Sequence, residues 1–458
     1  MKERHGETIE LLTTGRPAET STTGVDHEDN SKRNEHRKLN MPVVVIMITG
    51  KVVGGGLLLV PIALSNMGWY GFIFLFLCCV TSAFTGVLLS RSWLVLMRWY
   101  PDEYLDEINR HPYPSIGYVA FGDAGRRVTA ILTAIYGFGF TVASYLLVAD
   151  VVQLIFVKLL HVQVSMCALI ATAVLSAAPL LWFGSPKDMI IVCIVSGSTS
   201  VLGYLSLGIG SLLDIGAYPD TVHAKPTVFS VLGSLGLIMT AFGGQFVIPT
   251  IQHDMKNPED MPISAIMGYC GIGVIYATLG LVSCLVYGDL FEVVGSDSII
   301  DLITTESFQF IAIVCISIHM LIAGVLLNNP LFQDLENYLD IPYTITWKRI
   351  LLRSVFSILV VCVALSVPSF SSYLAVVGGA IAALVNGILP CVVYVRLASM
   401  EAPAGKKPEG PLKWYFTLAI LTVIVLSTCG GLVSTVTGIT NLINNENNST
   451  LPCYIQFH

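Results

Sequence analysis

Charge is what this sequence of 458 residues has least of. Asp, Glu, Lys and Arg make up 12% of it, about half of the ~25% usual for a soluble domain. A length of roughly three water-soluble domains is not kept dissolved by so few charges. The composition therefore excludes a soluble enzyme and a disordered scaffold, and the net charge of −7 speaks against nucleic acid as a partner. Eleven cysteines are present, but ten lie in apolar runs and only Cys453 sits in a polar stretch, so there is no disulfide framework. No His/Cys/Asp/Glu spacing suggests a metal site, and no cofactor is expected. What is abundant is hydrocarbon: 54% of residues are hydrophobic and the mean hydropathy is +0.73. The pattern is that of an all-α polytopic protein of the lipid bilayer.

Residues 1–41 are polar and mixed in charge, without an apolar run of signal-peptide type, and read as a disordered cytoplasmic tail. A helix needs about 20 apolar residues to cross a bilayer. Eleven such stretches follow, at 42–65, 70–97, 128–159, 164–182, 188–213, 228–250, 263–287, 308–329, 349–368, 372–396 and 413–437. They make 42–437 one transmembrane domain and leave 438–458 as a tail. With the N-terminus in the cytoplasm, 21 of the 24 Lys and Arg fall in inside segments. Only Lys158 and Lys225 lie outside, and Lys51 falls within the first span. That bias follows the positive-inside rule, and an odd number of spans then puts the C-terminal tail on the extracellular or lumenal side. The glycosylation sequons at Asn447 and Asn448 lie in that tail and point the same way. Between the second and third spans, His111-Pro112-Tyr113-Pro114-Ser115 with Ile116, Tyr118, Val119 and Phe121 reads as a short amphipathic helix at the interface. An acidic dileucine pattern, Glu7 to Leu12, favours an endosomal or lysosomal membrane and leaves the plasma membrane open.

Two spans carry residues that oppose a continuous helix. The first contains Gly50-Lys51-Val52-Val53-Gly54-Gly55-Gly56 and then Pro61; the sixth contains Phe242-Gly243-Gly244 and then Pro249. Each glycine costs about 1 kcal/mol of helix propensity relative to alanine. In a membrane, irregular backbone persists only where it lines a protein-walled cavity. Glycine/proline interruptions five spans apart point to a midplane substrate site between two repeats. Close helix packing through small residues suits Gly273 and Ala277, spaced by four, better than a contiguous triplet.

On these residues the chain resembles the amino acid/auxin permease family, within the amino acid-polyamine-organocation superfamily. Its first span, VVGGGLLLVPIALSNMGWYG, is similar to the family's Gly-x-Gly opening. Phe242 to Pro249, running on through Ile251-Gln252-His253-Asp254 to Pro258, is similar to the sixth-span signature. Asn329-Pro330 with Glu336 is a weaker match. The resemblance covers about 42–437 and implies a leucine-transporter-type fold: a five-plus-five inverted repeat with an eleventh helix. It also implies an amino acid substrate. The N–H groups of Gly54, Gly55 and Gly56 would hold its carboxylate, aided by the positive end of the outer half-helix. Carbonyls around Phe242, Gly243 and Gly244 would take its ammonium group, with the Phe242 ring packing on the substrate or gating it. The third-span run Tyr136-Gly137-Phe138-Gly139-Phe140 would wall the side-chain pocket, although its aromatics equally suit ordinary helix packing.

Ionisable groups deep in a bilayer cost at least about 2.5 kcal/mol and tend to have a task. Three lie inside spans: Lys51, His319 and Asp150, the last near the outer rim and read as solvated. Lys51 is about 13 Å deep at 1.5 Å per residue. Sodium-coupled branches of the family carry an Asn shortly before the Gly-x-Gly element, whereas here the stretch reads Thr49-Gly50-Lys51. An ammonium group there repels sodium, so proton coupling is expected over sodium coupling. Lys51 acts either as a fixed charge or as a titrating group, unless it snorkels to the headgroups. His319, with an ordinary pKa near 6.5, is the second proton site, its alternative being a satisfied core histidine. The sequence thus describes a proton-coupled symporter, a glycoprotein of solute-carrier type, that moves a neutral amino acid by alternating access. No paired catalytic groups suggest an enzyme, and no polar stripes or charged rings suggest a channel. The rival reading is an amino acid sensor that uses the same site without transport.

Overall fold

Lipid offers backbone amides no partner, so each apolar run must bond within itself as helix. The computed structural model of the chain is helical accordingly and describes residues 39–104, 112–182, 186–219, 226–294, 298–342, 346–367 and 370–446. Among them, nine helices are long and apolar enough to cross a membrane, and the bent pair Met41–Val52 and Gly56–Met67 makes a tenth span. The stretch expected at 164–182 is the shorter apolar helix Met166–Trp182, of 17 residues, at the low end of what spans a bilayer. The dileucine pattern, nearly all of the N-terminal tail, and both sequons at Asn447 and Asn448 lie outside the described residues.

Two spans are interrupted. The first bends by 62° between Met41–Val52 and Gly56–Met67. The sixth stops at Val228–Ala241, turns through Gly244 at φ +125°, and resumes as a 3-10 turn, Gln245–Val247, followed by helix Ile248–His253. Only glycine adopts such a φ without strain. The second half of the first span, Gly56–Met67, packs on the first half of the sixth, Val228–Ala241, so the two breaks face each other at the centre of the bundle. The second span, Tyr70–Trp99, packs on the seventh, Met261–Val286. The third, Pro112–Leu154, and the fifth, Pro186–Leu213, pack on the eighth, Glu306–Tyr338.

The amphipathic stretch before the third span is helical from Pro112 and turns at Gly122, φ +68°. Tyr113, Ile116 and Ala120 are buried while Tyr118 and Phe121 are exposed, and the Tyr113 hydroxyl donates to the Val385 carbonyl at 2.9 Å. On the N-terminal side of the membrane, Leu39 forms a bridge with Met255. Leu39 N–H donates to Asp254 O (3.2 Å) and Lys256 N–H donates to Leu39 O (3.0 Å), which ties together the ends of both interrupted spans. On the same side, Glu336 is fully buried between Arg353 and Arg349, with Oε1 2.7 Å from Arg353 Nη2 and 3.1 Å from Arg349 Nε. At the opposite end, buried Asp214 accepts bonds from the Tyr287 hydroxyl (2.7 Å), the Thr304 N–H (3.1 Å) and the Thr304 hydroxyl. Asp214 lies one residue past the apolar run 188–213, so hydropathy alone does not mark it as a buried charge.

Candidate substrate-binding site

A helix that stops leaves carbonyls without donors, and a helix that starts leaves N–H groups without acceptors. At the first break, Val53 N–H still bonds Thr49 O, and Leu57 N–H begins the next helix on Gly54 O. In between, the N–H groups of Gly54, Gly55 and Gly56 make no backbone bond among the described residues. They sit at the positive end of Gly56–Met67, where an anion is favoured. At the second break, Gly243 N–H bonds Thr240 O and Val247 N–H bonds Gly244 O. The carbonyls of Phe242 and Gly243 accept nothing among the described residues. Gly244 N–H reaches Asn386 Oδ1 at 3.4 Å.

Gly54, Gly55, Gly56, Gly243 and Gly244 line one cavity together with Lys51, Tyr136 and His319. The absent side chains let neighbours approach the backbone: a Cβ at Gly54 would collide with the His319 ring and one at Gly56 with the Tyr276 hydroxyl. Tyr276, on the seventh span, reaches across both breaks. Its hydroxyl is 3.2 Å from Val52 O and 3.1 Å from Ala241 O, the carbonyl ends of the two interrupted helices.

Phe242 lies elsewhere. Its ring is fully buried and stacks edge-on against Tyr276 at 5.3 Å, away from the cavity lining. From the sixth span the aromatic ring at the cavity is instead Phe246, edge-on to Tyr136 at 5.3 Å. Tyr136 is 2% exposed, and its hydroxyl closes on Gly243. Phe140, Met320, Phe370 and Leu374 complete an apolar wall. Phe140 belongs to the third-span run expected to wall the pocket, whereas Met320, Phe370 and Leu374 were not singled out from the sequence.

Lys51 is in the last turn of Met41–Val52, at the negative end of that half-helix. It makes no ion pair or side-chain hydrogen bond among the described residues, and Cys193 of the fifth span neighbours it. His319 is buried, with Nδ1 toward Ser196 and Ser200 of the fifth span and Nε2 toward Gly54. Asp150 is half-buried in the third span and does not line this cavity. No group of three or more His, Cys, Asp or Glu able to hold a metal occurs among the described residues.

Residues 37–437 match the family model described as transmembrane amino acid transporter protein. The chain belongs to that family, the amino acid/auxin permeases. Three Arabidopsis thaliana relatives show its reach. Amino acid transporter AVT1E is 24% identical over 377 residues, covering 79% of this chain and 68% of its own length. AVT1D is 26% identical over 364 residues, covering 76% and 62%, and AVT1I is 22% identical over 412 residues, covering 86% and 92%. The chain thus spans about two thirds of the first two. Among solved structures, MhsT in complex with L-phenylalanine aligns with a TM-score of 0.55 at 11% identity, over 86% of this chain and 98% of MhsT. The Eremococcus coleocola manganese transporter aligns with a TM-score of 0.50 at 12% identity, over 92% and 89%. At these identities the likeness speaks for the fold alone, which is the leucine-transporter type with an eleventh helix. Family and fold are those of membrane transporters and not of enzymes.

Proposed function

We propose that the chain is a secondary active symporter that carries neutral amino acids across its membrane by alternating access, driven by protons rather than sodium. One observation carries this reading: amides at Gly54–Gly56 and a carbonyl at Gly243, without backbone partners among the described residues, border the same cavity. A zwitterion offers both the anion and the donor these groups lack. The glycine amides take the carboxylate; Gly243, with Phe242 and Gly244 on either side, takes the ammonium. Tyr136 and the apolar wall around it suit an uncharged side chain.

The coupling ion follows from Lys51. At about 4 Å and an effective dielectric constant of about 20, two unit positive charges repel by about 4 kcal/mol, roughly a thousandfold loss in sodium affinity. An ammonium already at the negative end of a half-helix takes the place a bound cation would fill. Lys51 and His319 are the ion-coupling residues in this reading. The N-terminus lies in the cytoplasm, and Asn447 and Asn448 bear glycans on the other side.

The test is uptake of labelled neutral and charged amino acids into proteoliposomes under an imposed proton or sodium gradient. Neutral amino acids accumulate with an acidic exterior and are indifferent to sodium. Binding without flux would instead make the protein a sensor. Lys51→Ala and His319→Ala assayed at about pH 5.5 and about pH 7.5, on either side of an imidazole pKa, test the coupling. If neither alters the pH dependence, these residues do not couple protons.

A further inference from the structure

His319 is 1% exposed and faces the first break from the eighth span. Three oxygens of the fifth span surround its Nδ1: Ser200 Oγ at 2.6 Å, Ser196 Oγ at 3.0 Å and the Ser196 carbonyl at 3.0 Å. A carbonyl oxygen only accepts, so a bare Nδ1 would set two lone pairs against each other at that distance. The Ser200 hydroxyl has other acceptors for its proton, Ser196 O at 3.1 Å and Gly50 O at 3.4 Å. Placing the proton on Nδ1, donating to the fifth span, removes that conflict and leaves Ser200 free to donate onward. Nε2 is then a bare acceptor, and it is the ring nitrogen on the Gly54 side, beside the unpaired amides of the break.

We propose that Ser200 and the Ser196 carbonyl are positioning groups for His319, fixing its Nδ1–H tautomer so that Nε2 stands open at the first break as the acceptor of the coupled proton. This rests on the proton-coupled reading above. The proton arrives from water on one side and adds to the Nε2 lone pair, giving an imidazolium that donates from both nitrogens; it leaves from Nε2 on the other side. The titratable groups around this corner are Lys51 from the first span, Cys193 from the fifth, Cys315 on the same helix, and Tyr136 of the third in the same cavity; among the described residues no carboxylate lines that cavity. Ser200 also touches Gly50 O, one residue before Lys51, so the fifth span binds the histidine to the carbonyl end of the broken helix.

The experiment is the pH profile of uptake into proteoliposomes for the unaltered protein, Ser200→Ala, Ser200→Thr and Ser196→Ala. Ser200→Ala moves the midpoint by at least about half a pH unit, a tenfold change in proton affinity being one unit. Its half-saturation for amino acid at saturating proton concentration stays within about twofold, a change under about 0.5 kcal/mol. Ser200→Thr, which keeps the hydroxyl, restores the profile, and Ser196→Ala shifts it less because the backbone carbonyl remains. If Ser200→Ala does not reach the membrane, Ser200→Cys carries the same test with a weakly bonding sulfur. A Ser200→Ala profile identical to the original, or equal shifts in the Ala and Thr variants, overturns this inference alone. A flat profile in the unaltered protein overturns proton coupling and this inference with it.

Discussion

The Tyr276 hydroxyl lies 3.1 Å from the carbonyl of Ala241, and the same oxygen is 3.2 Å from the carbonyl of Val52. Both carbonyls end helices, one from each half of the fold, and a single phenolic proton serves them in turn. Tyr276→Phe removes that donor and leaves buried acceptors unpaired, at about 1–3 kcal/mol. The expected outcome is a rise of roughly five- to a hundredfold in the half-saturation for substrate, with little loss of protein in the membrane. Uptake kinetics on the variant check it, and unchanged kinetics would show that the breaks hold their shape without this bridge.

Two glycines of the first break leave no room for a side chain. Gly54→Ala drives a methyl group into the His319 ring, and Gly56→Ala drives one into the Tyr276 hydroxyl. Both variants abolish uptake while inserting normally. Gly208→Ala, where a Cβ meets nothing within 4 Å, retains full uptake and gains up to about 1 kcal/mol of helix propensity. Uptake normalised to surface-labelled protein separates the three.

Glu336 is a fully buried charge held between two arginines. Removing one partner of a fully buried ion pair strands the others, at about 3–5 kcal/mol, so Glu336→Ala lowers the melting temperature in detergent sharply and salt does not mimic it. Lys158 and Asp301, 4.0 Å apart and partly exposed, are worth at most about 1 kcal/mol. Asp301→Asn therefore melts close to the unaltered protein.

The backbone clip at Leu39 links the ends of both interrupted spans. Lys256→Pro deletes the N–H that bonds Leu39 O, at about 1 kcal/mol. It is expected to change the maximal rate of uptake more than the half-saturation, since it touches the helix ends and not the cavity. A change confined to half-saturation would place the clip's influence in the site itself.

Much of this was legible in the sequence, for identifiable reasons. The breaks at Gly54–Gly56 and Phe242–Gly244 announce themselves because glycine is the residue that leaves a helix at least cost, and Gly244 at φ +125° needs it. Lys51 and His319 stood out because charge is rare in apolar runs. The direction of Phe242 was not legible, since the rotation of the last helical turn is set by packing against Tyr276, distant in sequence. Nor was Ser200, because serine on an apolar helix is common and becomes significant only when the eighth span brings His319 to it. The π-helical stretch Val377–Ile388 in the tenth span looks like any apolar helix until Thr240 and Gly431 are seen pressed against Gly378 and Gly379.

The central claim is that the freed backbone dipoles of two broken helices grip both ends of a zwitterion. Competition for uptake in proteoliposomes tests it most directly, using the best-transported amino acid against its methyl ester and its N-acetyl derivative. The account predicts that neither derivative competes within about a hundredfold of the parent, each having lost a charge-assisted set of bonds worth about 3 kcal/mol. Competition by either derivative at parent-like concentrations would contradict it.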